Sequence, residues 1–259
     1  MPRSLHAKLF WLTLLISSMA FMMPQKKITV FSIGDSTMAD YAIDELSRTN
    51  GGKNYPLRGW MMAMPQFFND QVIVHNAARS GRSSKSFRTE GHWKKVISQV
   101  KAGDYVFIQF GHNDEKSNDT SRFTLPATTF RQNLIRYINE TKAKGAHPVL
   151  FTSIARRKFV DGKLSDTHGD YVTVPRALAK EMDIPLVDLN RSTSDLIQRM
   201  GEKKSKKLFL HIKPGQFSKL PDGKKDDTHL NEKGAEAVAA LAEKGIKSLQ
   251  LPLADYFKK

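Results

Sequence analysis

Residues 30–40 of the chain, VFSIGDSTMAD, decide the fold. They begin as a short apolar and β-branched run, which is typical of a buried strand, and the run ends at Gly34-Asp35-Ser36. A glycine permits a sharp turn after the strand, so Ser36 is expected at the outer end of that turn. Open α/β sheets carry their chemistry where a strand ends and a helix follows. The alternative is that Ser36 or Thr37 only caps the next helix.

Further apolar runs alternate with amphipathic segments along the chain, and this alternation predicts a parallel sheet with helices on both faces. Residues 104–110 (DYVFIQF) are almost continuously apolar, as expected of a central strand buried on both faces. The other predicted strands cover 27–33, 72–76, 148–154 and 184–189. The predicted helices cover 57–69 (interrupted by Pro65), 93–100, 129–144, 172–182, 194–200 and 231–249. No regular element is predicted over 201–227.

The first 24 residues have the three-part build of a secretory signal peptide. Arg3 and Lys8 give a positive start, residues 9–23 are mostly apolar, and Ser18-Met19-Ala20 offers a cleavage site. The apolar run is short for a membrane span of about 20 residues, although a retained N-terminal anchor is the alternative. We therefore expect 1–24 to be a signal peptide and 25–259 to be one domain. That domain is expected in a bacterial periplasm or outside the cell, without stable membrane association.

The 259-residue chain is strongly basic, with 41 lysine and arginine residues, 26 acidic residues and a formal net charge of +15. Such an excess favours an anionic partner, although it can serve solubility alone. The sequence holds no nucleic-acid motif, and an exported protein seldom meets nucleic acid, so an acidic polysaccharide is the expected partner. The chain has no cysteine, which excludes disulfides, thiolate catalysis, cysteine-bound metals and a lipoprotein anchor.

Three further polar stretches follow predicted strands or precede the last predicted helix: 76–83 (NAARSGRS), 111–114 (GHND) and 226–229 (DDTH). The carboxyl ends of parallel strands share one edge of a doubly wound sheet. We therefore expect these stretches to meet Ser36 at that edge.

Together the four stretches contain the groups that acyl transfer requires. Histidine titrates near neutrality, so His229 is the candidate base for Ser36, and Asp226 is close enough in sequence to fix its tautomer. The tetrahedral intermediate carries an oxyanion, which the N–H groups of Ser36 and Gly81 and the Asn113 amide can bind. Each residue alone has a structural alternative: Gly81 and Asn113 as turn residues, and Asp226 as a solvated loop charge.

In this order, the four stretches resemble the sequence blocks of the SGNH (GDSL-like) hydrolases. The forms GDSTMADY, NAARSGRS, GHND and DDTH are most similar to the rhamnogalacturonan acetylesterase branch. The resemblance implies a flavodoxin-like three-layer α/β/α sandwich with a five-stranded parallel sheet, and it implies no cofactor or metal. It also implies a catalytic triad of Ser36, Asp226 and His229, with an oxyanion hole formed by Ser36, Gly81 and Asn113.

The branch removes acetyl groups from pectic rhamnogalacturonan, and the galacturonate of that polymer agrees with the basic excess of this chain. The resemblance thus implies a secreted serine esterase that acts as a carbohydrate O-acetylesterase. Candidate glycan contacts are the aromatic and basic residues near the predicted site: Trp60, Arg79, Arg82 and His112.

Three alternatives stay open at the level of sequence. The esterase can act on another acyl substrate, such as acetylxylan, a lipid or a thioester. The chain can be a glycan-binding protein without activity. It can also be a metal-dependent phosphohydrolase, whose candidate ligands are Asp35, Asp40, Asp114, Asp226, Asp227 and His229. The sequence leaves the oligomeric state and the role of Asp35 open.

Overall fold

Five parallel strands form the central sheet of the computed structural model, which describes residues 27–41, 55–217 and 220–259. Nine strands occur in these ranges: β1 (Ile28–Gly34), β2 (Val72–Asn76), β3 (Tyr105–Gln109), β4 (His147–Phe151), β5 (Phe159–Val160), β6 (Lys163–Leu164), β7 (Leu186–Val187), β8 (Phe209–Ile212) and β9 (Lys224–Leu230). The central sheet has the order β2-β1-β3-β4-β7, with all pairings parallel. The predicted five-stranded parallel sheet is confirmed. The predicted signal peptide over 1–24 lies outside the described residues.

The strand order places a topological switch between β1 and β3. The chain passes from β1 to β2 on one side and then returns to β3 on the other side of β1. Crossover connections leave in opposite directions there, so a crevice opens beyond the carboxyl ends of these two strands. Ser36, two residues after the end of β1, lies at this crevice.

Two hydrophobic cores cover the two faces of the sheet. The described helices are α1 (Ser86–Thr89), α2 (His92–Ile97), α3 (Arg131–Ala143), α4 (Asp170–Met182), α5 (Leu189–Ser205) and α6 (Glu232–Ser248). Side chains alternate along a strand, so in β3 Phe107 packs into the core with α5 and α6, whereas Ile108 packs into the core with α2, α3 and α4. This arrangement is the three-layer α/β/α sandwich.

The segment over 57–69 differs from the prediction. It forms two short 3-10 turns, Trp60–Met62 and Met64–Gln66, instead of an interrupted helix. The Trp60 N–H donates to the Thr37 carbonyl at 2.8 Å, and Pro65 has no N–H to donate. A tertiary contact therefore replaces part of the helical hydrogen bonding.

The region over 201–227 also differs, because it contains β8 and the start of β9. These two strands form an antiparallel hairpin separate from the central sheet. The 226–229 stretch therefore lies in a strand, not in a loop before α6. No helix within the described ranges is long and apolar enough to cross a membrane.

Candidate active site

Ser36 lies in a tight turn that the carboxylate of Asp35 stabilises. The Thr37 backbone N–H and Oγ1 both donate to Asp35 Oδ1 at 2.8 Å, and the N–H groups of Met38 and Ala39 donate to the Asp35 carbonyl at 3.1 Å. The turn holds Ser36 at the crevice with only 6% of its surface exposed. Among the described residues, the Ser36 hydroxyl bonds to His229 and to no backbone group, so it does not act as a helix cap there.

A hydrogen-bonded relay joins Ser36, His229 and Asp226. His229 Nε2 lies 2.9 Å from Ser36 Oγ, and His229 Nδ1 lies 2.9 Å from Asp226 Oδ2. Asp226 Oδ1 also accepts the backbone N–H groups of Thr228 and His229, each at 2.9 Å. Burial raises the pKa of the Asp226 carboxyl, but the hydrogen bonds and charge of His229 outweigh burial, so the net shift is downward. An ionised Asp226 can only accept a hydrogen bond, so His229 carries its proton on Nδ1 and the Nε2 lone pair faces the serine hydroxyl.

Strand β9 carries Asp226 and His229, and Asp227 fastens this strand to the rest of the molecule. The Arg157 N–H donates to the Asp227 carbonyl at 2.8 Å, and Arg157 Nε forms an ion pair with Asp227 Oδ1 at 3.0 Å. His211 Nε2, from β8, lies 2.8 Å from the same oxygen. Sequence reasoning missed this anchor, since neither Arg157 nor His211 stands in one of the four motifs.

The loops that carry Gly81 and Asn113 are joined to each other and to the end of β1. The Arg79 N–H donates to the Gly34 carbonyl at 3.0 Å, and Asn113 Nδ2 donates to the Arg82 carbonyl at 3.0 Å. Gly81 has a φ of +76°, a left-handed conformation that favours glycine. The structure therefore brings both predicted oxyanion residues to the edge of the sheet where Ser36 lies.

Two backbone donors in this region are unused. Across the part of the chain that the structure describes, neither the Ser36 N–H nor the Gly81 N–H donates a hydrogen bond to protein. The Asn113 amide has two protons, and only one bond, to the Arg82 carbonyl, is formed. Three N–H groups thus remain available to bind an oxyanion.

Behind the serine turn, Asp35 pairs with His112. His112 Nδ1 lies 3.2 Å from Asp35 Oδ2, and both side chains are buried. Burial lowers the pKa of His112 to about 4, so its ring is neutral at pH 7 and donates through Nδ1. Burial alone raises the pKa of Asp35, but His112 and the Thr37 hydrogen bonds produce a net lowering. This pair gives Asp35 a part in holding the turn, a role that the sequence left open.

The four predicted glycan contacts fall into two groups. Trp60 is fully buried, and its Nε1 donates to Gln109 Oε1 at 3.1 Å, while Gln109 Nε2 donates to Thr37 Oγ1 at 2.7 Å. Trp60 therefore supports the serine turn from beneath, and the prediction that it contacts glycan is corrected. The same correction applies to His112, which is also buried.

Arg79 and Arg82 form the other group, because both are partly exposed beside the Gly81 loop. Arg82 Nε forms an ion pair with Glu90 at 2.8 Å, and its Nη1 donates to the Ser80 carbonyl. The Arg79 guanidinium makes no hydrogen bond or ion pair within the described ranges. Arg79 is therefore the more available of the two cations.

Three of the acidic residues that were candidate metal ligands bond to three different partners. Asp226 bonds to His229, Asp35 bonds to His112, and Asp114 accepts hydrogen bonds from Ser84. Within the described ranges, no group of three or more histidine, aspartate or glutamate side chains is arranged to hold a metal ion.

Comparison with known proteins gives consistent results. Residues 32–237 match the model of the GDSL-like lipase/acylhydrolase family. The chain is 41% identical over 235 residues to the rhamnogalacturonan acetylesterase RhgT of Bacillus subtilis, covering 90% of this chain and 96% of that protein. It is 34% identical over 226 residues to the probable rhamnogalacturonan acetylesterase YesY of the same organism, covering 87% and 95%.

Solved structures agree on the fold. The crystal structure of YxiM from Bacillus subtilis matches with a TM-score of 0.73 and 27% identity, over 89% of this chain and 59% of that chain. Axe2, an acetylxylan esterase from Geobacillus stearothermophilus, matches with a TM-score of 0.58 and 16% identity, over 86% and 96%. The resemblance to SGNH hydrolases and to their rhamnogalacturonan acetylesterase branch is confirmed. The chain belongs to the GDSL-like lipase/acylhydrolase family and is an esterase.

Proposed function

We propose that the chain is a secreted serine esterase that removes O-acetyl groups from acetylated pectic rhamnogalacturonan. The observation that carries this proposal is the hydrogen-bonded relay of Ser36, His229 and Asp226 at the crevice of the sheet. Ser36 is the nucleophile, His229 is the general base, and Asp226 orients the imidazole and stabilises its protonated form. The N–H groups of Ser36 and Gly81, with the Asn113 amide, form the oxyanion hole.

The proposed reaction has two steps. Ser36 Oγ attacks the acetyl carbonyl carbon while His229 Nε2 takes the hydroxyl proton, and the negative oxygen is bound by the three free N–H groups. The bond between the acetyl carbon and the sugar oxygen then breaks, and His229 gives the proton to the leaving sugar oxygen, which becomes a hydroxyl. Water attacks the acetyl-enzyme by the same route, which releases acetate and restores Ser36.

The substrate class rests on the relatives and on charge. RhgT is a rhamnogalacturonan acetylesterase that shares 41% of its residues with this chain over nearly the whole length of both. The net charge of +15 suits a polymer that contains uronate carboxylates. Arg79 and Arg82 are the proposed carboxylate contacts, because they are partly exposed beside the Gly81 loop. Export through a signal peptide over 1–24 is supported by the sequence pattern.

The test measures acetate release from acetylated rhamnogalacturonan, acetylxylan and nitrophenyl acetate. Wild-type protein is expected to favour the first polymer, and Ser36→Ala to lose about 10³-fold or more of kcat on every substrate. Ser98→Ala, which removes an exposed hydroxyl directly after α2, is the matched control and is expected to keep wild-type activity.

Two results would contradict the proposal. Wild-type turnover by Ser36→Ala would show that Ser36 is not the nucleophile. Loss of activity with a chelator would then favour a metal-dependent hydrolase. A preference for acetylxylan over rhamnogalacturonan would retain the serine mechanism and reject the proposed substrate.

A further inference from the structure

A polar cavity of about 270 Å³ lies outside the four motifs of the candidate active site. One wall is the segment that follows β4, with Ala155 and Arg156. The second wall is the connection over 164–168, and the third is formed by the first turns of α5. Both β4 and β7 end near this cavity, so it opens at the same edge of the sheet as Ser36. The volume suits a single sugar ring, whereas pockets for larger drug-sized ligands measure about 300–1,000 Å³.

Contacts between side chains connect the cavity to the serine turn. Arg156 forms an ion pair with Glu115, whose Oε2 lies 3.2 Å from His168 Nδ1. The rings of His168 and His112 meet edge to face with centroids 4.5 Å apart, and His112 bonds to Asp35, the neighbour of Ser36. Direct side-chain contacts therefore connect the cavity wall to the turn that carries Ser36.

The same wall is also attached to the strand that carries the proposed base. Arg157, the residue after Arg156, donates its backbone N–H to the Asp227 carbonyl, and its guanidinium forms an ion pair with the Asp227 carboxylate. Asp227 lies between the two residues of the relay on β9. The cavity wall is thus connected to both elements that carry the candidate catalytic residues, through His168 and His112 to the serine turn and through Arg157 to β9.

Three polar side chains in the first turns of α5 line the cavity. Asn190, Ser194 and Asp195 all line it, and within the described ranges none of the three side chains makes a hydrogen bond or ion pair with protein. Asn190 and Ser194 are four residues apart, so their side chains lie on the same face of the helix, and Asp195 adjoins Ser194 in the lining. An amide, a hydroxyl and a carboxylate together offer both donors and acceptors, which is the chemistry that sugar hydroxyls require.

The charges of the cavity favour an uncharged ring over a uronate. The Arg156 guanidinium is already neutralised by Glu115, and its Nη1 contacts the Thr167 hydroxyl at 3.3 Å. Asp166 and Asp195 add two carboxylates to the lining. A uronate carboxylate in this cavity would meet like charges, and like charges in close contact are unfavourable.

We infer that this cavity is a subsite for one uncharged pyranose ring, next to the acetylated sugar residue held at Ser36. Asn190, Ser194 and Asp195 are its hydrogen-bonding groups. The inference rests on the proposed function, since it assigns a second sugar of the same polysaccharide. It also divides recognition in two: uronate carboxylates on the basic loop near Gly81, and a neutral sugar on the α5 side.

The test compares Asn190→Ala and Asp195→Ala with wild type on acetylated rhamnogalacturonan oligosaccharides and on nitrophenyl acetate. Each variant is expected to lose about tenfold in kcat/KM on the oligosaccharides, mainly through KM, because a hydrogen bond to bound sugar is lost. Activity on nitrophenyl acetate is expected to stay at the wild-type value, since that substrate has no second ring. Glu202→Ala, an exposed acid on α5 outside the cavity, is the matched control.

Unchanged oligosaccharide kinetics in both variants would overturn the subsite, as would an equal loss on nitrophenyl acetate. The proposed function is judged separately by wild-type protein: no acetate release from acetylated rhamnogalacturonan would reject it. The subsite would then be tested on acetylxylan, whose xylose rings are uncharged. If Asn190→Ala and Asp195→Ala lose activity on acetylxylan but not on nitrophenyl acetate, the subsite is supported. An equal loss of activity on acetylxylan and nitrophenyl acetate would overturn it.

Discussion

At the scale of single residues, Asn113 is the side chain whose loss should affect the proposed oxyanion hole most directly. One amide proton is bonded to the Arg82 carbonyl, which fixes the direction of the other. Removing one preorganised oxyanion donor typically lowers kcat by about 10²–10³-fold. We expect Asn113→Ala to show this loss on nitrophenyl acetate with little change in KM.

Asn118→Ala, an exposed residue of the same loop, is the control for that measurement and should keep wild-type kinetics. A loss below about threefold in Asn113→Ala would place the oxyanion donors elsewhere.

His112 should make the stability of the protein depend on pH. The unfolded chain binds the His112 proton near pH 6.5, whereas the folded protein binds it only near pH 4. Between these values unfolding takes up a proton at His112, so the His112 contribution to the free energy of unfolding decreases as the pH falls from 6.5 to 4. Burial raises the pKa of Asp114 to about 7, so the Asp114 contribution changes in the opposite direction over the same range. The stabilising contribution of His112 is complete above pH 6.5 and is lost through this window.

Urea unfolding at several pH values measures this effect. Between pH 6.5 and 4, His112→Asn should lose less stability than wild type as the pH falls, because only the His112 contribution is removed. Asp35 and Asp226 both have lowered pKa values, so their stabilising contributions are lost below that window, as the pH falls under the usual carboxyl range. A slope that His112→Asn leaves unchanged would show that another group causes it.

The sequence was sufficient to predict which side chains of the relay meet, because the chemistry of acyl transfer requires a nucleophile, a base and an orienting acid. It did not predict the Asp35–His112 pair. These residues are 77 positions apart, and the partner of a buried acid depends on how two loops pack at the sheet edge. Trp60 was misjudged for a related reason, since an aromatic side chain near a site can lie beneath it as well as beside it.

At the scale of elements, the position of β9 depends on Arg157. This side chain is almost fully buried, and its guanidinium forms an ion pair with the Asp227 carboxylate. A displacement of about 1 Å can cost about 10²-fold in rate. We expect Arg157→Ala to lower kcat by about 10–100-fold, because His229 shifts relative to Ser36.

Steady-state kinetics on nitrophenyl acetate check this prediction, with a circular dichroism spectrum to establish that the variant is folded. Lys158→Ala removes the exposed neighbouring cation and serves as the control. If Arg157→Ala keeps the wild-type kcat, Asp227 does not set the position of the relay.

The elements that the sequence predicted well are the ones with a strong apolar pattern. The strand over 72–76 has the predicted bounds, and β3 is buried throughout, as its apolar run indicated. Strand β9 was missed because its residues, KKDDTHL, are mostly charged or polar. Its place is fixed by pairing with β8 and by contacts to Arg157, and such information is absent from local periodicity.

At the scale of the whole molecule, the net charge of +15 should make activity on an acidic polymer sensitive to salt. Salt screens the attraction between exposed charges, with a Debye length that falls to about 10 Å at 0.1 M. We expect kcat/KM on acetylated rhamnogalacturonan to fall by about tenfold between about 0.02 M and 0.3 M salt.

Nitrophenyl acetate is uncharged and provides the internal comparison, because its hydrolysis should change little over the same range. A parallel decline on both substrates would mean that salt acts on the enzyme itself. A flat profile on the polymer would mean that the basic surface does not attract the substrate.

The architecture was predictable at this scale because alternating strands and helices leave few ways to build a parallel sheet. The β8–β9 hairpin was not predictable in the same way, since it lies outside the sheet and pairs with none of the five strands.

The relay joins the turn after the first described strand to the last described strand, since Ser36 and His229 are 193 residues apart. Synthesis proceeds from the N-terminus, so a nascent chain holds the proposed nucleophile long before it holds the proposed base. On the proposed mechanism, a ribosome-bound fragment has no activated serine until β9 has emerged and docked. A chain that terminates before β9 is then expected to have no esterase activity.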